Sequence, residues 1–293
     1  MIGLALAAGL AIRAQFLPFE SDDYHLFLKH WTRFIETNGG LAALRYPFAN
    51  YTQPYLYLLS LGLALFPGVR DLYLIKLIST LFDAGCAVLV WKIVEDRRPA
   101  SLAAAGAFAA VWLSPTVILN SAAWGQVDAM YSAFLLLAVF LMMQERPARG
   151  IAAYGAAFAI KLQSIFLLPV VALAALRGRA RTLVWIPIVF VALMLPAIAL
   201  GKPVGDALLT YGLQIGAAER LTMNAANWYQ WLPPGEPAVA WWAGVLLGAV
   251  FMLFALWCAR RWAMPWPEQV LLLACWTLAG VPFFLPRMHD RYF

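Results

Sequence analysis

Charge is what this sequence has least of. Only 12% of its 293 residues are Asp, Glu, Lys or Arg, against about 25% in an ordinary soluble domain. The uncharged runs are long enough to read as membrane spans, so a large soluble core is a poor account of the chain. Cysteine is scarce too. Cys86, Cys258 and Cys275 lie inside apolar runs, at no metal-ligand spacing and in no disulfide framework, and read as small packing residues. No P-loop, dinucleotide glycine fingerprint, HExxH or Cys/His metal spacing occurs. That argues against ATP-driven transport and against a nucleotide-sugar enzyme of the soluble type. No cofactor is implied, although a divalent metal held by carboxylates stays open. The net charge of +6 belongs, in a membrane protein, to cytoplasmic loops, and implies no nucleic-acid partner. What the chain does have is 63% apolar residues, with thirteen Trp and eleven Tyr, as interfacial aromatic belts require.

Apolar runs fall at 2–17, 53–66, 72–94, 100–119, 129–144, 150–176, 183–200, 238–258 and 268–285. The first begins at Met1 without a basic leader, which reads as an uncleaved span rather than a signal peptide. Four short loops are tightly basic: Lys92 to Arg98, Arg146 with Arg149, Arg177 to Arg181, and Arg260-Arg261. The positive-inside rule puts all four in the cytoplasm. Run 150–176 must then start and end inside. It carries Lys161, Gln163 and Ser164 in its middle and Pro169 beyond them, which predicts a hairpin or two half-spans turning near Lys161. Run 53–66 is short and contains Pro54; reading it as a non-crossing segment keeps every basic loop inside, whereas a crossing would put one outside.

The expected architecture is an all-α polytopic membrane protein, one domain over 1–293. It has an external loop 18–71 with a surface helix at 23–37 and a second external loop at 202–236. Tyr24, Phe27, Leu28, Trp31, Phe34 and Ile35 follow the i, i+3, i+4, i+7 pattern, so that helix is amphipathic and is expected in the plane of the membrane surface. Ser21 or Asp22 can cap its start, and Asn38-Gly39-Gly40 ends it. With the arginines inside, every remaining polar cluster falls on the outer face, which implies one site built from many segments.

Each candidate has a functional and a bland reading. Asp22 and Asp23 suit helix capping, but a carboxylate against apolar surface also suits a general base. Lys161 lies mid-run, where a charge costs about 2.5–3.5 kcal/mol; it either meets a substrate charge or pairs with Asp83 or Asp128. Arg287, His289 and Arg291 suit a phosphate, or equally lipid headgroups. Trp124, Gln126 and Asp128 can stack on and hydrogen-bond a sugar, or Trp124 simply anchors the interface.

Taken in order, these motifs resemble a known family. Asp23-Tyr24 with His30-Trp31, Asn50-Tyr51-Thr52-Gln53-Pro54-Tyr55, Ser114-Pro115 with Trp124-Gly125-Gln126, Lys161-Leu162-Gln163, Asn224 to Trp228, and His289-Asp290-Arg291 are similar to short motifs of the dolichyl-phosphate-glucose glucosyltransferases of N-glycan assembly. The chain also resembles bacterial integral-membrane mannosyl- or glucosyltransferases of the GT-C class. The resemblance implies a GT-C-like helical bundle and an inverting hexosyltransferase. Its donor would be a polyprenyl-phosphate sugar and its acceptor a lipid-linked glycan. It implies a place in a bacterial inner membrane, with the site facing the periplasm or cell exterior. It places the catalytic acid on Asp23, with Asp22 second. Donor-phosphate contacts fall on His289, Arg287, Arg291 and Lys161. Sugar or acceptor contacts fall on Trp124, Gln126, Asp128, Gln163, Asn227, Trp228 and Tyr51. The chain stops at Phe293, where the family continues with further spans, so a partial or reduced member is expected. Trp-Gly-Gln and Asn-Tyr-Thr-Gln-Pro depart from the family's own motifs and leave sugar and acceptor open. The rival class is a transporter or lipid flippase, which calls for inverted repeats and charges near the bilayer midplane.

Overall fold

The computed structural model describes residues 1–178, 180–212, 221–232 and 238–289. It is an all-α bundle apart from one short parallel pair, β1 (Thr222–Met223) with β2 (Met288–His289). The main helices are α1 (Ile2–Gln15), α2 (Lys29–Thr37), α3 (Gln53–Leu65), α4 (Asp71–Glu95), α5 (Leu102–Trp112), α6 (Pro115–Ile118), α7 (Asp128–Met143), α8 (Pro147–Ile160), α9 (Leu168–Arg177), α10 (Trp185–Ala199), α11 (Val204–Leu208), α12 (Ala238–Ala259) and α13 (Trp266–Phe284). Among the described residues, four helical stretches are long and apolar enough to cross a membrane, and a bent pair makes a fifth. The chain is an integral membrane protein by that measure.

The four basic loops meet at one end of the bundle. Arg97 pairs with Glu268 at the start of α13, and Gln144 donates to Asp96 at 3.0 Å. The Arg177 guanidinium lies 4.5 Å over the Trp266 ring, whose Nε1 donates to the Met142 carbonyl at 2.6 Å. Arg146, Arg149 and Arg181 line one cavity there, while Arg177 and Arg260 line another. The expected sorting of arginines is therefore present as geometry.

Run 150–176 is a hairpin broken at Lys161, as its central polar residues predict. Lys161 is extended (φ −151°, ψ 136°) between α8 and a 3₁₀ stretch, Leu162–Leu167, that leads into α9. The two arms return to the same end: a Cβ on Gly178 would stand 3.3 Å from Pro147 Cγ. Helix ends in lipid need partners for their free carbonyls. Thr52 Oγ1 donates to the Ile160 carbonyl at 2.9 Å and Tyr211 Oη to that of Phe158.

Helix α3 is one of the shorter apolar helices. Its 13 residues rise about 20 Å, short of a hydrocarbon core near 30 Å. Both flanks sit at the end away from the four basic loops, Thr52 against Ile160 and Arg70 against Glu20. Run 100–119, expected as one span, is instead bent by 43° between α5 and Pro115–Ala123. Pro115 lacks an N–H and pushes Ser114 out of the helical region (ψ 126°).

The surface helix forms where expected, with one difference. Ser21 caps it, its Oγ accepting the Tyr24 N–H at 3.2 Å, and Gly39 and Gly40 (φ +86° and +64°) end it. The first turn past Asp23 is π-helical, Tyr24–Leu28, before α2. Its apolar stripe faces protein rather than lipid: Tyr24, Leu28, Trp31 and Ile35 are buried in the main core. Polar ties explain this. Asp71 accepts from Tyr24 Oη at 2.9 Å and from Thr32 Oγ1 at 2.6 Å, which pins the stripe to the start of α4. Burial, then the Asp71 carboxylate, push the Tyr24 phenol above the ordinary tyrosine range.

Candidate functional site

The end opposite the four basic loops gathers the polar segments that lie far apart in the chain. At its centre is the loop before α7. A π-helical turn, Leu119–Ala123, ends in Trp124-Gly125-Gln126, and α7 begins at Asp128. Gly125 is required at its place: its φ is +68°, and a Cβ would stand 3.0 Å from Ile75 Cγ2. The loop is held by backbone and hydroxyl bonds. Gln126 N–H donates to the Asn120 carbonyl at 2.9 Å, Ser79 Oγ to the Gln126 carbonyl at 2.7 Å, and Ser21 Oγ to the Trp124 carbonyl at 3.1 Å.

Asp23 meets this loop directly. Its carboxylate accepts from the Gln126 amide. The bond is flanked by both π turns, one following Asp23 and one preceding Gln126; such turns are frequent at functional sites. Gln126 is buried, Asp23 half-buried and Asp22 exposed. Of the two acids, Asp23 alone has an orienting partner of this kind. Trp124 is exposed beside them.

Two residues along, Asp128 pairs with Lys161 at the break between α8 and α9. Both side chains are 9% exposed. The Lys161 ammonium also lies 5.6 Å from the Tyr131 ring and 5.9 Å from the Tyr51 ring, within cation–π range. Tyr131 stands one turn beyond Asp128 on α7, so both reach the same ammonium. Of the two acids the sequence offered Lys161, the fold selects Asp128 and gives Asp83 to another partner. Tyr51 packs edge-on against Trp31 of α2 at 5.3 Å, which joins the surface helix to the break. Gln163 is half-buried in the 3₁₀ stretch that follows.

The third part is the β pair. Thr222 aligns with Met288 and Met223 with His289, and Asn224 bridges to His289. Arg287 takes a positive φ of 62°, and its N–H donates to the Leu221 carbonyl at 2.7 Å. Its guanidinium stands 5.9 Å from the Trp241 ring. The strand pair sits on the broken hairpin, since Phe166 packs with Ala225 and Met288. Beside it, Asn227 is only 4% exposed, with both side-chain amide atoms buried and without a protein partner. Such a group costs about 1–3 kcal/mol unless something hydrogen-bonds it. Trp228 lies 4.2 Å from Tyr229, whose hydroxyl donates to the Phe284 carbonyl at 2.8 Å. Burial pushes the Tyr229 phenol up to about 12. Arg291 lies outside the described residues.

Asp23 with Gln126, Asp128 with Lys161 and Tyr51, and His289 with Asn224 thus share one end of the bundle. They are linked in that order through the loop before α7 and the broken hairpin. Among the described residues no three His, Cys, Asp or Glu side chains gather as a metal site.

Sequence reasoning missed a second buried pair. Arg13 Nη2 donates to Asp83 Oδ2 at 2.8 Å, and Arg13 Nη1 to the Trp112 carbonyl at 3.0 Å. Ser121 Oγ adds a 2.5 Å bond to the same carboxylate oxygen. Its signal was present in α1: Ala5, Gly9 and Arg13 are its buried residues, spaced i, i+4, i+8 on one face. Asp71 was missed as well, being an acid at the mouth of an apolar run. No protein-family model matches the chain, and no curated protein matches it.

Proposed function

We propose that this protein is a GT-C-like inverting glycosyltransferase. It moves a hexose from a polyprenyl-phosphate donor to an acceptor such as a lipid-linked glycan. The observation that carries the reading is the Asp23–Gln126 contact, an acid with a fixed orientation among polar segments at the end of the bundle away from the arginines. By the positive-inside rule that end is non-cytoplasmic, the periplasmic face if the membrane is a bacterial inner membrane.

In this reading the acceptor hydroxyl attacks C1 of the lipid-linked sugar and Asp23 takes its proton. The polyprenyl phosphate leaves from the opposite face. The anomeric carbon passes through an oxocarbenium-like state. The Gln126 amide orients the Asp23 carboxylate toward the acceptor hydroxyl. Arg287 and His289 offset the charge that develops on the departing phosphate. Lys161 is already paired with Asp128 and lends the phosphate less net charge than an isolated ammonium would. Asn227, buried without a protein partner, has the donor and acceptor atoms a sugar hydroxyl needs.

The test is sugar transfer from a labelled polyprenyl-phosphate hexose by the purified protein. Asp23→Asn is expected to lower the rate about 10²–10⁴-fold with an unchanged melting temperature, and Asp22→Asn to lower it far less. An Asp23→Asn protein that transfers sugar at the full rate ends the assignment.

The rival reading, a transporter or flippase, draws on the Arg13–Asp83 pair, since charge at membrane depth commonly marks a transport path. That pair is 4% and 3% exposed and closed by hydrogen bonds to Ser121, Gly9 and Trp112, which suits a fixed lock better than a moving gate. Substrate-dependent flipping in liposomes that survives Asp23→Asn would favour the rival.

A further inference from the structure

At the end with the four basic loops, the first turn of α8, the chain after α9 and the start of α10 border an open cavity of about 730 Å³. Three arginines line it, Arg146, Arg149 and Arg181. Among the described residues no carboxylate lies within ion-pair distance of any of the three. The nearby Glu145 engages Arg177 instead, at 3.8 Å. The other walls are mostly apolar, including Pro147, Ala148 and Val184, with Trp185 at the rim.

We propose that this cavity seats the phosphate of an anionic phospholipid. Arginine presents a planar fork that grips phosphate bidentately, and three such forks around one hollow match a headgroup rather than a single surface ion pair. Basic pockets between membrane helices are where acidic headgroups bind. The argument for a lipid, rather than a soluble phosphate, is the outer face of α10. Val184, Ile188, Val191 and Leu195 follow i, i+4, i+7, i+11 and all are exposed. They form an apolar stripe that begins in the cavity wall and runs along the outside of the bundle. An acyl chain fits that track while its headgroup occupies the cavity. Trp185, 42% exposed, stands at the junction, where an interfacial indole belongs. A soluble phosphate compound has no tail to follow that stripe into the bilayer. The proposal does not depend on the transfer reaction and stands if that reading fails.

The experiment is native mass spectrometry of the full chain released from detergent with added phosphatidylglycerol or phosphatidylcholine, alongside thermal melting with each lipid and with glycerol phosphate. The wild type is expected to retain phosphatidylglycerol and to be stabilised by it, and not by phosphatidylcholine. Retention should weaken roughly fivefold for each arginine replaced in Arg146→Gln, Arg149→Gln and Arg181→Gln. Ala148→Trp keeps every charge but fills the hollow, and should lose the lipid equally; it decides the matter by itself if the triple variant does not insert. Equal retention of phosphatidylcholine, or undiminished phosphatidylglycerol on Ala148→Trp, overturns the proposal. So does stabilisation by glycerol phosphate as large as by the lipid, which would make the ligand a soluble phosphate.

Discussion

Among the described residues two ion pairs are buried, and they differ in what surrounds them. Arg13–Asp83 joins α1 to α4 inside regular helix. Its guanidinium also reaches the Gly9 and Trp112 carbonyls, stacks 3.9 Å over the Trp112 ring, and meets a carboxylate already held by Ser121. Lys161–Asp128 sits where helix stops. One partner is the extended residue of a broken hairpin and the other opens α7, with two tyrosine rings beside them and the Asp23–Gln126 contact two residues away. A buried pair inside continuous helix costs desolvation but no backbone regularity. A pair at a break gives up several helical hydrogen bonds as well, so structure alone would rarely retain it. The first pair reads as a clamp and the second as part of a site.

The comparison is broken most directly by removing single partners. Arg13→Leu or Asp83→Asn leaves an uncompensated buried group and should cost about 3–5 kcal/mol, measured by denaturation in detergent. Arg13→Leu with Asp83→Leu should recover most of that loss and restore sugar transfer with it. The matching double variant at the break, Lys161→Leu with Asp128→Leu, should recover stability but not transfer. If both double variants recover both properties, the two pairs are equivalent and the second has no functional role.

A smaller effect sharpens the clamp. Trp112 packs directly on the α-carbon of Gly9, so Gly9→Ala forces the two helices apart. Overpacking of this kind costs about 1–3 kcal/mol. The loss should appear as a lower melting temperature with unchanged donor affinity, whereas a change in affinity would tie α1 to the site. The smallest effect lies at the strand pair. Tyr229→Phe removes the hydroxyl bond to Phe284, worth about 0.5–1.5 kcal/mol. It also removes a pH dependence. The folded state holds this phenol neutral up to about 12, above the ordinary value near 10. The neutral form is therefore favoured by folding. Its stabilisation is complete below about 10 and disappears as pH rises through about 12. Alkaline melting curves of wild type and Tyr229→Phe should converge there; parallel curves across that window would remove Tyr229 as the titrating group.

Reading the chain alone recovered the break at Lys161, the surface helix after Ser21 and the gathering of the four basic loops at one end. Each follows from a local signal: a charge inside an apolar run, an i, i+3, i+4 stripe, basic residues in tight loops. The partners were not legible. Lys161 had two acids to choose from, and nothing local separates Asp83 from Asp128. Arg13 passed unnoticed because one charge near the end of an apolar run looks like an interfacial residue. The stripe of the surface helix was expected against lipid because its periodicity says only that one face is apolar, not what covers it.

Composition and periodicity by themselves determined that this chain carries membrane-spanning helices, where most of its apolar runs lie, and that its four basic loops belong together at one end. Those properties depend on transfer energies and backbone propensities that act over a few residues. Only the tertiary structure decided that Asp23 meets Gln126, that Asp128 rather than Asp83 neutralises Lys161, and that three arginines from two loops enclose one hollow. Side chains separated by 33 residues in one pair and 103 in the other are matched by packing geometry, and that geometry exists only once the helices have docked.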